Sequence, residues 1–299
     1  MHKHRFISHN FEDSLDLAQA RQAIEAQLLQ GTSDSYPYAD VKDYDAKYPL
    51  ISRKRVYSDN TTKTDTTLYT GSGGVVFVYY KLYCFFNDRD PNGDAAVRYE
   101  EMFEKALMDN IDLVETGACH KGFQCPSFFQ SVAGLYTVAA DYYHRIKEKE
   151  KVPLYVQKIQ DLYKRFENDL GEYVEDELLY GAAGYLYCLL FFLDRVCPGN
   201  KDIKKTAVKL VRAIIKSGKK QSQSNDFILV KWPRDRKEDK FYLGGAHGLI
   251  GVLQMLLQAL TIVEDLRNDK ETVSIVKNSC EFVLQQQFES GNFPSSLGK

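Results

Sequence analysis

The chain has 299 residues, 44% of them hydrophobic and 27% charged, with 39 Lys and Arg set against 41 Asp and Glu. That balance leaves ample apolar side chain for a large core. It excludes the basic excess of a nucleic-acid binder and the block of like charge that makes an acidic tail. The longest apolar runs, such as residues 186–193, fall far short of the roughly 20 residues that span a bilayer.

Residues 11–30 carry Phe11, Leu15, Ala18, Ile24 and Leu28 at helical spacing behind Glu12, Asp13 and Asp16, which predicts an amphipathic helix. Residues 31–55 are a polar, Tyr- and Asp-rich connection with Pro37 and Pro49. The first 65 residues are therefore read as an N-terminal helix and connection, and residues 66–299 as repeats of one domain that takes in the whole chain.

From Thr66 a pattern recurs. Leu68-Tyr69-Thr70-Gly71-Ser72-Gly73-Gly74 runs into apolar residues 75–86. Phe128-Phe129-Gln130-Ser131-Val132-Ala133-Gly134 runs into 135–145, and Leu178-Leu179-Tyr180-Gly181-Ala182-Ala183-Gly184 into 185–194. Phe241-Tyr242-Leu243-Gly244-Gly245-Ala246-His247-Gly248-Leu249-Ile250-Gly251 runs into 252–259. The pairs Gly71/Gly74, Ser131/Gly134, Gly181/Gly184 and Gly248/Gly251 align, at steps of 60, 50 and 67 residues. Such self-similarity is the mark of repeat architecture.

Polar helical patterns alternate with these, at 95–114, 153–170, 202–217 and 270–287. The apolar helix of each unit should be buried and the polar one should cover it. Residues 227–230 have the composition of a short strand, too little for a sheet. The segment 221–239 reads as a long charged loop. With inner helices parallel, the Gly-rich turns converge at one mouth, and helix N-termini facing a shared pocket would favour anions. The last helix should leave Val273, Ile275, Val276, Phe282, Val283 and Leu284 without a next neighbour, so the isolated chain should associate or be marginally stable.

The four turns, together with Glu177-Leu178-Leu179-Tyr180-Gly181 and Ser290-Gly291-Asn292-Phe293-Pro294, resemble the LanC-like proteins, relatives of the bacterial lanthionine synthetase C. The strings occur in matching order from about residue 66 onward. The resemblance implies an all-α fold, an α/α toroid of double-helical hairpins, of which this chain holds about four of seven. It implies glutathione binding and zinc-dependent addition of the thiol to dehydroamino acids in peptides or proteins. The family's zinc ligands come from a Trp-Cys-His-Gly motif and a later Cys-His-Gly motif. Both follow the Gly-Asn-aromatic-Pro string, and this sequence stops at Lys299, so no zinc ligand carries over and the chemistry is expected to be impaired. The family also tends to place Asp where Ser131 stands.

His247 matches the family histidine that acts as acid or base beside the metal. A turn histidine bonded to a backbone carbonyl is the structural alternative. Arg5 resembles a residue near the glutathione site. Tyr69 and Tyr180, taken as matching places before their glycines, either pack between hairpins or line the pocket as substrate contacts. Cys119-His120 with Cys125 imitates a metal motif, but one short spacing is weak support for zinc. Asp65 and Glu177 precede two turns without lying inside the glycine segments, and a glycosidase-like carboxylate pair is disfavoured on that ground.

The six dispersed cysteines, Cys84, Cys119, Cys125, Cys188, Cys197 and Cys280, and an N-terminus without an apolar signal core predict reduced thiols in the cytoplasm. A nuclear or peripheral plasma-membrane location is also compatible, although His2 stands where myristoylation needs Gly. The competing reading is a non-catalytic toroid that pairs with a protein partner through its open edge.

Overall fold

The computed structural model describes residues 54–56, 62–119, 127–233 and 240–297. Contacts divide the chain into two units, Met1–Leu50 and Ile51–Lys299, and every described residue belongs to the second. The helix expected at 11–30 and Arg5 lie outside the described residues.

Four helices start at the Gly-rich turns: α1 (Gly73–Asn87), α3 (Ala133–Arg145), α5 (Ala182–Phe191) and α7 (Leu249–Ile262). Each is followed by a partner, namely α2 (Asp94–Glu115), α4 (Val152–Lys164), α6 (Lys201–Ser222) and, after the one-turn α8 (Glu264–Arg267), α9 (Lys270–Leu284). Inner helices touch in the order α1, α3, α5, α7, and each packs against its own outer partner. This is the all-α arrangement of an α/α toroid. Strands are minor: β1 (Lys54–Val56) pairs with β2 (Thr62–Thr64), and β3 (Phe241–Tyr242) with β4 (Ser296–Leu297).

The sequence explains which helices end up inside. In α3 every residue from Ala133 to Tyr143 is buried, and in α5 only Tyr187 is not fully so. Fully burying one Leu, Val or Phe contributes roughly 1.5–3 kcal/mol, so an all-round apolar helix is stable only between neighbours on both sides. The outer helices show one stripe. In α6 the buried positions Ile203, Ala207, Leu210, Val211, Ile214 and Gly218 recur at helical spacing. The outer helices α6 and α9 carry side-chain caps, Asn200 accepting from Asp202 N and Ile203 N, and Asp269 from Thr272 N.

The inner helices start differently, with no side-chain cap. At three of them an N–H of the helix start donates to a carbonyl seven residues back, Ser72 N to Asp65 O at 2.9 Å, Ala182 N to Glu175 O at 2.8 Å and Ile250 N to Leu243 O at 3.0 Å, and at α3 Ala133 N donates to Ser131 Oγ at 3.1 Å. The turn itself thus engages part of the N–H groups at the mouth.

The second glycine of each pair makes this possible. A Cβ on Gly74, Gly134, Gly184 or Gly251 would stand 2.8, 2.2, 2.2 or 1.9 Å from the carbonyl oxygen of Leu68, Phe128, Leu178 or Gly245. In all four cases that carbonyl lies six residues earlier, so one close approach repeats around the ring.

The far ends of the inner helices are tied by one buried carboxylate. Asp141 of α3 accepts from Tyr80 Oη of α1 at 2.5 Å and from Arg145 Nε at 2.6 Å, with Arg195 Nε at 3.6 Å. Arg195 sits on a π-helical turn, Phe192–Val196, that closes α5. Burial, with the Asp141 charge second, pushes the Tyr80 phenol far up, so it remains a donor.

Four expectations change. Residues 227–230 form no strand; Ile228 and Val230 are buried instead, with Ile228 N bonded to Ser279 Oγ. The predicted helix 153–170 stops at Lys164 and gives way to a 3₁₀ turn at Glu167–Asp169. The end inner helices are buried on only part of their surface, leaving Val78 54% and Leu257 47% exposed. In α9, Ile275, Val276 and Val283 are buried, because their stripe packs on α7, and Phe282 stacks on Phe227 with centroids 4.6 Å apart. Of the six residues expected to lack a neighbour, Leu284 is the one left largely exposed.

Candidate functional site

The turns share a backbone plan that fixes where side chains point. Four positions before the first small residue stand Thr67, Ser127, Glu177 and Gly244; one position before it stand Thr70, Gln130, Tyr180 and His247. The earlier side chain accepts from the later N–H: Thr67 Oγ1 from Thr70 N (3.4 Å), Ser127 Oγ from Gln130 N (3.1 Å) and Glu177 Oε1 from Tyr180 N (2.5 Å). Ser and Thr close such turns readily. Glu177 does so with a longer side chain, and that leaves its second oxygen within reach of another turn.

Neighbouring turns are stitched together. Tyr69 N donates to Phe129 O at 3.0 Å, Ser127 Oγ to Leu179 O at 2.7 Å, Phe128 N to Gly184 O at 3.1 Å and Leu179 N to Ala246 O at 3.2 Å. The four turns therefore meet in chain order at one end of the inner helices, as the parallel-helix reading required.

At the third and fourth turns this stitching brings together two groups 70 residues apart. His247 Nδ1 lies 3.1 Å from Glu177 Oε2. That same oxygen accepts from Leu179 N at 2.7 Å. The Glu177 side chain is fully buried, while that of His247 keeps 27% of its surface exposed. Burial drives the Glu177 carboxyl up to about 8, against the two backbone N–H bonds that favour its charge, and the charges of Glu175 and Asp176 push the same way. Burial lowers His247 below the ordinary imidazole value of 6.5. Both shifts favour one arrangement near neutral pH, with a shared proton held on Glu177 and a neutral imidazole facing it.

An aromatic group covers the imidazole. Trp232 stacks on His247 with ring centroids 3.7 Å apart and planes 10° apart. Tyr180 lies parallel to both, 5.5 Å from His247 and 6.2 Å from Trp232. Tyr242 meets Trp232 at 6.0 Å, and Lys240 Nζ sits 4.7 Å over the Tyr242 ring.

Residues 62–299 match the family described as lanthionine synthetase C-like protein. The chain belongs to this family. Among curated proteins it is similar to glutathione S-transferase LANCL1 of Danio rerio, at 28% identity over 244 residues, 80% of this chain and 54% of that protein. The chain thus spans about half the length of that relative.

In this LanC-like chain His247 and Tyr180 come together at the mouth, whereas Tyr69 stands apart. Tyr69 and Tyr180 are not in matching places, which corrects the reading of the two as equivalent. Tyr69 is two positions before its small residue, in register with Phe129 and Leu179, and is 59% exposed. Tyr180 is one position before, in register with Thr70 and His247. Two residues of the site escaped the sequence reading. Glu177 lies outside the glycine segment, and the charged loop around Trp232 has the composition of a solvated surface. The pairing of Ser, Thr and Glu at one turn position was the available signal for Glu177.

The described residues do not make a zinc donor set. No group of three or more His, Cys, Asp or Glu among them is placed to hold a metal ion. Cys119 is buried, and His120 and Cys125 lie outside the described residues. Burial pushes the thiols of Cys84 and Cys280 up, Cys197 to about 11 and Cys188 to about 12, so these four stay protonated at neutral pH. No helix among the described residues is long and apolar enough to cross a membrane.

Proposed function

We propose that the Glu177–His247 pair moves the proton in addition of the glutathione thiol to a dehydroamino acid of a peptide or protein. The 3.1 Å contact between His247 Nδ1 and the buried Glu177 Oε2 carries the reading. Membership of the LanC-like family and the name of the zebrafish relative support the choice of thiol. A reducing, cytoplasmic compartment suits it, since glutathione must be in its thiol form.

The proton balance closes. With the proton on Glu177 Oε2, Nδ1 accepts it in a hydrogen bond and Nε2 carries a hydrogen towards the mouth. The thiolate sulfur bonds to Cβ of the dehydroamino acid, and the π pair of the double bond moves to Cα and its carbonyl. His247 Nε2 then delivers its proton to Cα while Nδ1 takes the proton of Glu177. The pair is left one proton short, and the next thiol that ionises at Nε2 reloads it. The loaded pair is the acid, so its contribution should fade as pH rises through about 8.

Mass spectrometry of a dehydroalanine peptide incubated with glutathione and this chain tests the proposal. The parent should raise adduct formation above buffer, and His247→Gln should lower that rise by about 100-fold or more, the usual scale of acid–base catalysis. An equal rate in His247→Gln would refute the role of the pair. A parent rate equal to buffer would favour the protein-interaction reading.

A further inference from the structure

We infer that Gln221, at the end of α6, is a positioning residue that holds Trp232 over His247. It rests on the reading of His247 as the proton-transfer residue, but concerns how the ring is kept in place. The Gln221 carboxamide joins three pieces of the chain. Its Oε1 accepts from Lys231 N, the residue before Trp232. Its Nε2 donates to Asp176 Oδ2 at 2.7 Å and to Ser217 Oγ at 3.0 Å. Ser217 Oγ donates to the same Asp176 oxygen at 2.6 Å.

Asp176 and Glu177 are adjacent, yet they reach His247 by different routes. Glu177 meets the ring edge directly at Nδ1. Asp176, through Gln221 and Lys231, fixes the segment that lays Trp232 on the ring face. That segment is also held on its far side, by Trp232 N to Lys240 O at 3.2 Å and by the isolated bridge between Lys231 and Phe241. The 22-residue α6 thus ends in a side chain that ties the following loop to the third turn. Asp176 and Ser217 are both buried, so this polar bridge is shielded from competing water.

Two constraints determine an imidazole's position: one at an edge nitrogen, which fixes its tautomer, and one on its face, which fixes its plane. Without the face contact the ring can swing about its χ2 torsion, and Nε2 no longer points to one place. Among the described residues, the groups that bear on His247's charge are Glu177 at its edge, Glu175 and Asp176 behind Glu177, Trp232 on its face with Tyr180 parallel beside it, and Lys231, Lys240 and Tyr242 on the segments next to Trp232.

Trp232 is the chain's single tryptophan. Its emission therefore reads the stack directly, because a protonated imidazole in face contact quenches an indole and a neutral one does so far less. The experiment is a fluorescence pH titration of the full chain without glutathione or peptide. The parent should show one step with a midpoint below 6.5, and His247→Gln should lose it. Gln221→Met keeps the volume and deletes the three hydrogen bonds of the Gln221 carboxamide. It should retain a cooperative thermal melt but reduce the step by about twofold or more and move its midpoint towards 6.5. If Gln221→Met does not fold, Lys231→Pro removes the donor at the other end of the same bond and should give the same loss. A titration in the folded variant that superimposes on the parent's would overturn the inference, as would a step that persists in His247→Gln. Because no thiol is present, a normal step with no adduct formation would sink the proposed reaction and leave the clamp standing.

Discussion

Gly184→Ala should destabilise the protein by about 3 kcal/mol or more, while Gly199→Ala should change stability by no more than roughly 0.5 kcal/mol. The added methyl on Gly184 would stand 2.2 Å from Leu178 O in its own turn and 2.7 Å from Ser127 Cβ in the preceding one. Gly184 cannot retreat from either, because its own carbonyl accepts from Phe128 N at 3.1 Å. A methyl on Gly199 meets nothing within 4 Å. Parallel urea melts decide the matter. A loss below about 1 kcal/mol at Gly184 would mean that the turns do not meet as described.

The second large effect is one of pH. The Glu177 carboxyl is raised from 4.5 to about 8 in the folded chain. Between those values the folded state holds a proton that the unfolded state has lost, so stability falls as pH rises through the window. This stabilising contribution is fully present below about 4.5 and is gone above about 8, the reverse of an ordinary ion-paired carboxylate. Taken at face value the change amounts to ~5 kcal/mol, an upper figure. His247, lowered below 6.5, acts in the opposite sense, adding stability above 6.5 that is lost as pH falls through its folded value.

Glu177→Gln separates the two. Its single amide oxygen can replace only one of the two acceptors, and with that oxygen on Tyr180 N, Leu179 N keeps Ala246 O, so the cost is about 1 kcal/mol and does not vary with pH. The decline between pH 5 and 8 should disappear from the variant. Stability curves for the two proteins that run parallel over that range would contradict the burial of an ionisable carboxyl at the mouth.

The architecture was legible because its causes are local. A small residue three before a glycine is what a helix needs when its first turn presses on a carbonyl six residues back, and all four copies carry it. Apolar and polar helices alternate, which separated inner from outer partners. What stayed hidden depends on distance along the chain. Glu177 looks like a flanking acid until the third and fourth turns are stitched by Leu179 N to Ala246 O, and only then does it face His247. Trp232 comes from a loop whose charged composition suggests solvent, and its place is set by Gln221, a residue without any motif. Tyr69 and Tyr180 both precede a glycine, but they stand two positions and one position before it, and in these turns one position decides whether a side chain faces the mouth. Among the described helices α1 and α7 stand at the ends of the row, and their exposed faces follow from that, which no helix pattern records.

The most direct test of the central claim is ¹H–¹⁵N correlation of the histidine side chains across pH 5–9, with His247 assigned by its loss in His247→Gln. The expected result is a neutral His247 at pH 7 with its hydrogen on Nε2, a midpoint below 6.5, and a second perturbation near pH 8 that vanishes in Glu177→Gln. A cationic His247 at pH 7, or a titration that Glu177→Gln leaves unchanged, would contradict it.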